Sequence, residues 1–127
     1  MTNTPQYRPG QPCWHDLTIP NAEEVRDFYK AVIGWKSTDQ SMGDYSDFNM
    51  LEPESGECVA GVCHARGSNA DIPPQWLTYF WVADFHASVN ACTAQGGAVV
   101  SGPKTMGDMS YAVIRDPAGA VCAIIGR

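Results

Sequence analysis

Two hydrophobic rhythms alternate along the chain. From Pro12 to Ile19, and again over about Trp35–Gln40, Tyr45–Leu51 and Glu57–His64, apolar and polar residues alternate in short blocks bounded by Gly, Pro, Asn and Asp, which is the spacing of strands. After Pro20 the rhythm changes. Val25, Phe28, Tyr29, Val32 and Ile33 recur at the spacing of one helix face, Asn21-Ala22-Glu23-Glu24 in front of them resembles a capping box, and Gly34 stands where a helix would end. The second half reads the same way. Strands are expected over about Trp76–Val82, Ala98–Ser101, Met109–Arg115 and Ala120–Ile125, with a helix from Asp84 to about Gln95 on a thinner stripe of Phe85, Val89 and Cys92.

The likeness of the halves is written into the residues. Met42-Gly-Asp and Met106-Gly-Asp each lead to a serine, a strand-like run, an acidic-Pro pair (Glu52-Pro53, Asp116-Pro117) and a glycine (Gly56, Gly119). Carried backwards, the repeat sets Asn21 on Asp84, both favoured N-cap residues, and Gly34 on Gly97, both at helix ends. Between the halves "ARGSNADIPPQ" has turn residues and no period. The expectation is an α+β chain of two tandem βαβββ modules, 12–64 and 76–127, joined by a linker over 65–75. The 127 residues suit a single domain.

Composition narrows the function. With 14 acidic and 8 basic residues the chain carries a formal charge of −6 and no basic cluster, so a nucleic-acid backbone would be repelled. No apolar run approaches the roughly 20 residues of a membrane span, and the start has no signal-peptide pattern, which leads us to expect a cytoplasmic protein. The 5 cysteines are odd in number and widely spaced, which argues against a disulfide framework or a zinc knuckle. There is no P-loop and no nucleophile elbow, and "QGGAVVSGP" reads as a helix end and turn.

The stretches "PCWHDLTIPNAEEVRDFYKAVIGW", "WLTYFWVADFHASVNACTAQGGAVVSGP" and "DPAGAVCAII" resemble the vicinal oxygen chelate superfamily, which includes glyoxalases, extradiol dioxygenases and bleomycin resistance proteins. The "FY…GW" helix end and the "DPxG" turn carry most of the likeness. The resemblance implies paired modules curled into an incomplete barrel around a cavity, often within a homodimer. In metal-using members the ligands lie seven residues before the helix-cap Asp or Asn and seven after the Asp of the "DPxG" turn. Here those counts, with the repeat, reach Trp14, Leu77, Ala123 and Ala60, none of which offers a divalent cation a donor. A slip of one residue reaches His15, Gly61 or Val59, Thr78, and Cys122 or Ile124, which still does not make three ligands. The expectation is therefore no metal and no cofactor. His15 would point away from the face of Trp14, Asp16 and Thr18.

Strand alternation then gives the expected cavity wall: Trp14, Asp16 and Thr18; Cys58, Ala60 and Val62; Leu77, Tyr79 and Trp81; and Val121, Ala123 and Ile125. His64 shares the parity of Ala60 and would stand about 13 Å further along, at the cavity mouth. Such a wall suits a flat or apolar small molecule. Asp16 is its one carboxylate. It would bind a ligand amine, act as a general base, or bond to Tyr79 or to backbone. The leading expectation is a metal-free protein that binds a small aromatic or apolar molecule. The alternatives are an enzyme using Asp16 as general base or an unconventional metal site such as Asp16 with His64, and an interaction module with a filled cavity.

Overall fold

The computed structural model describes residues 7–127. In it the strand-like blocks become β1 (Pro12–Ile19), β2 (Lys36–Ser41), β3 (Ser46–Leu51), β4 (Cys58–His64), β5 (Trp76–Trp81), β6 (Ala98–Met106), β7 (Met109–Arg115) and β8 (Val121–Gly126), and the helical stretches become α1 (Ala22–Ile33) and α2 (Phe85–Ala94). Every expected strand and both helices are present, and the chain is an α+β fold. The linker holds one short 3-10 turn, Gly67–Asn69.

Residues 14–77 form one compact unit, and 7–13 with 78–127 form the other. In the first the strands run in the order β2-β3-β4-β1, antiparallel except for the parallel pair β4 and β1. Helix α1 closes one face of this sheet over Leu17, Ile19, Phe48, Met50, Ala60 and Val62, with Val25 and Tyr29 of the helix packed against them. The second unit repeats the plan as β5-β8-β7-β6, with β5 and β8 parallel. Its helix-side core is Phe85, Ala112 and Ile124, with Val82, Val89, Val99 and Ile114 around them.

Three local features depart from expectation. Strand β6 runs on to Met106, because the Gly102-Pro103 stop is absorbed by two register shifts against β7, between Val99 and Ser101 and between Ser101 and Lys104. An edge strand tolerates such irregularity. Asp84 caps α2 as expected, its side chain accepting from the Ala87 N–H at 3.1 Å, whereas Asn21 makes no side-chain cap and instead donates to Glu24 Oε1 at 2.8 Å. The apolar stripe of α1 is only partly used: Phe28, Val32 and Ile33 stay 56%, 63% and 51% exposed.

Candidate functional site

Alternation along β1 sends Leu17 and Ile19 into the core under α1 and turns Trp14, Asp16 and Thr18 to the opposite face of the sheet. On β4, however, simple alternation fails. Met50 pairs with Ala60 while the next residue, Leu51, pairs with Cys58, so Val59 is an extra residue in a bulge. The bulge reverses parity. Ala60 and Val62, which alternation from Cys58 sets beside Asp16, join the core under α1, and Gly61 and Cys63 become the register neighbours of Asp16 and Thr18.

Gly61 makes the room that Asp16 occupies. A Cβ built on Gly61 would overlap Asp16 Oδ1 and lie 3.7 Å from Cys63 Sγ. Trp14, two residues back on the same face, donates its indole N–H to Asp16 Oδ1 at 2.6 Å. This is a short, charge-assisted bond between half-buried groups. The carboxylate is felt by both neighbouring thiols. Burial, then the charges of Asp16 and Asp47, push the Cys63 thiol well above its ordinary range, and burial with the Asp16 charge pushes Cys58 up as well.

His64 stands elsewhere. Its Nδ1 lies 3.1 Å from Asp47 Oδ1 and its Nε2 3.1 Å from both carboxylate oxygens of Glu23, while its backbone N–H donates to Asp47 Oδ1 at 2.9 Å. Tyr45 and Phe48 pack on the ring at 5.3 and 5.9 Å. Each ring nitrogen thus faces a carboxylate oxygen. This arrangement ties α1, β3 and β4 together. It does not bring His64 to Asp16, the pair considered as an unconventional metal site.

In the second unit alternation holds, since β8 pairs with β5 and β7 without a shift. Tyr79 is opposite Ala123 and Trp81 opposite Ile125, on the face away from α2, and Tyr79, Trp81 and Ala123 are all buried. Cys13 Sγ donates to the Tyr79 carbonyl at 3.5 Å, the Tyr111 ring lies 6.2 Å from that of Tyr79, and the Arg127 guanidinium lies 5.6 Å from the Trp81 ring. Leu77, 1% exposed, belongs to the first unit.

A pocket of about 300 Å³ that the sequence did not suggest opens in the first unit, lined by His15, Ile33, Trp35, Val59, Ala60 and Trp76. The bulged Val59 and Ala60 lie together on its wall. Trp35 and Trp76 meet edge to face at 5.9 Å, and the Trp76 indole N–H is committed to Tyr29 Oη at 3.0 Å.

The four positions that the family pattern assigns to metal ligands do not fit a divalent ion. Trp14, Ala60, Leu77 and Ala123 bring no donor, and among the described residues no three His, Cys, Asp or Glu side chains are grouped to hold an ion.

Comparison with known proteins gives the geometry a context. The profile of the Glyoxalase/Bleomycin resistance protein/Dioxygenase superfamily matches residues 14–124. The chain is 30% identical over 128 residues to the Mycobacterium tuberculosis protein named "Putative glyoxylase CFP32", covering 98% of this chain and 48% of that one. It is 31% identical over 135 residues to anthracycline biosynthesis protein DnrV of Streptomyces peucetius, covering 94% and 48%. The chain thus spans about half the length of these relatives. Among solved structures, methylmalonyl-CoA epimerase from M. tuberculosis superposes with a TM-score of 0.54 at 14% identity, over 92% of this chain and 87% of that one. A hypothetical protein from Bacillus halodurans does so with a TM-score of 0.59 at 9% identity, over 94% and 96%.

Proposed function

This chain belongs to the Glyoxalase/Bleomycin resistance protein/Dioxygenase superfamily, and on that premise we propose that it binds a small, flat, largely apolar molecule, without a metal ion, on the sheet face that carries Trp14 and Asp16. The fold hosts many chemistries, so the reading rests on the site. Its carrying observation is the Trp14–Asp16–Gly61 arrangement. One half-buried carboxylate is held by an indole N–H in a space that a glycine leaves open, beside an aromatic plane and two thiols kept neutral. That combination offers a ring surface to stack on and one charged acceptor to orient an amine or hydroxyl. The relative named for anthracycline biosynthesis supports a fused-ring ligand. We extend the reading to a cytoplasmic homodimer. Among the described residues no helix is long and apolar enough to cross a membrane.

The test is a tryptophan-fluorescence titration with planar aromatic amines and their neutral counterparts. Saturable binding that favours the amine, with the preference lost in Asp16→Asn, supports the reading. Equal binding of amine and neutral ring in the wild type contradicts the role given to Asp16.

The same observation favours a second reading, Asp16 as a general base in a metal-free enzyme, in line with the relative named a glyoxylase. In that case Asp16→Asn leaves binding broadly intact and abolishes turnover.

A further inference from the structure

The pocket of about 300 Å³ lies at the C-terminal end of α1, on the side of the sheet that the helix covers, away from Trp14 and Asp16. Local chain geometry opens it. Helix α1 stops at Gly34, whose φ of 88 turns the chain into Trp35, and the bulge in β4 leaves Val59 unpaired beside the small Ala60. Alternation in β1 sends His15 to this side, opposite to its neighbours Trp14 and Asp16. A pocket of this volume stands at the lower end of small-molecule sites, enough for about one or two fused rings.

Its aromatic wall is braced in advance. Trp35 and Trp76 meet edge to face at 5.9 Å, Tyr29 packs against them at 6.0 and 5.3 Å, and Tyr29 Oη accepts the Trp76 indole N–H at 3.0 Å. Rings held in this way present a stacking surface without losing further freedom on binding. The lining holds no carboxylate, ammonium or guanidinium, so a charged ligand would give up its hydration without a counter-charge. His15 brings the one side-chain acceptor. It is exposed at the rim, its ring has no hydrogen bond among the described residues, and an imidazole can accept from a hydroxyl.

We propose that this pocket is a second small-molecule site, separate from the Trp14 and Asp16 face, and that it takes a compact uncharged ring bearing a hydroxyl, of the phenol or naphthol class. The ring lies against Trp35 and Trp76, and the hydroxyl donates to His15. The two sites thereby select differently: the carboxylate of one favours an amine, and the uncharged wall of the other favours a neutral ring. The second site stands or falls apart from the role given to Asp16.

Titration of the isotopically labelled protein with 2-naphthol, naphthalene and 2-naphthoate, followed in an indole and amide N–H correlation spectrum, tests it. 2-Naphthol is expected to shift the Trp35 and Trp76 indole signals and the backbone of Ile33 and Val59 saturably. Naphthalene should bind more weakly on the order of fivefold, the scale of one hydrogen bond, and 2-naphthoate more weakly still. His15→Ala should bring 2-naphthol down to the level of naphthalene. Ile33→Trp, a change at a position 51% exposed, should fill the pocket and abolish the Trp35 and Trp76 shifts, with circular dichroism unchanged. No saturable shift at Trp35 and Trp76, or shifts confined to Trp14 and Asp16, overturns the second site and leaves the reading of Asp16 in place. Shifts that survive Ile33→Trp overturn the pocket as their origin. Naphthoate binding as tightly as naphthol overturns the uncharged ligand, and a preference for naphthol over naphthalene that persists in His15→Ala overturns the role of His15.

Discussion

Asp16 and Gly61 are register partners on the parallel strands β1 and β4, and the carboxylate of the first occupies the space where the second would carry a side chain. The glycine therefore does more than permit a backbone shape. Any side chain at 61 competes with the carboxylate that Trp14 holds.

Gly61→Ala should accordingly destabilise the protein by about 1–3 kcal/mol, the usual cost of overpacking a well-filled site. Asp16→Ala removes the competing atoms, so the double variant should recover most of that loss. Urea unfolding of the four proteins measures the coupling, and strictly additive effects would show that the two positions do not compete.

Trp14→Phe keeps a ring on the sheet face and deletes the N–H that Asp16 accepts. A hydrogen bond to a charged group at a half-buried position is worth about 1–2 kcal/mol. The variant should lose that much stability in the same assay and bind planar amines more weakly, because the carboxylate is no longer held in place. Unchanged affinity would separate Trp14 from the binding face.

The two helix starts should respond differently to alanine. Asp84 accepts from the Ala87 N–H, so Asp84→Ala should cost about 1 kcal/mol, whereas Asn21 caps nothing with its side chain and Asn21→Ala should cost only a few tenths. Thermal melts of the two variants side by side check the order.

The thiols set an alkaline limit. Burial raises Cys63, Cys58, Cys13 and Cys122 above the ordinary thiol value of 9.0. The folded protein thus holds thiol protons that the unfolded chain gives up. The stability this represents is complete below pH 9.0 and falls as pH rises through the folded values. Unfolding free energy should decline above about pH 9, and Cys63 should resist iodoacetamide until the chain is unfolded. At the acid end the shifts run the other way. Glu23, held down by its own backbone N–H and then by His64, Glu52 by Ser55, and Asp108 by Arg127, add stability above the usual carboxylate range that is lost as pH falls through their lowered values. Glu23 and Asp108 are exposed and Glu52 is only partly covered, so this acid effect is small.

Much of this architecture is legible in the residues themselves. The repeat from Met42 to Met106, the switch from strand to helix spacing after Pro20, and the Gly34 stop, where the glycine at φ 88 returns its N–H to the Lys30 carbonyl, are local signals with local causes. The site is less legible because parity depends on pairing. Nothing between Cys58 and His64 marks Val59 as the residue β3 skips, yet that one bulge moves Ala60 and Val62 to the helix side and brings Gly61 and Cys63 to Asp16. The clamp on His64 was equally hidden. Its partners Glu23 and Asp47 lie 41 and 17 residues away along the chain. Likewise the spacing of α1 shows which residues share a face, while the core beneath it is too narrow to cover Phe28, Val32 and Ile33.

The most direct test of the proposed function is an amide and indole N–H correlation spectrum of the isotopically labelled protein, followed during titration with a planar aromatic amine. Saturable shifts are expected to concentrate on the Trp14 indole N–H and the backbone of Asp16, Gly61 and Cys63, and to be lost in Asp16→Asn. Saturable shifts concentrated elsewhere, or none across a series of fused-ring amines, would contradict the proposed function.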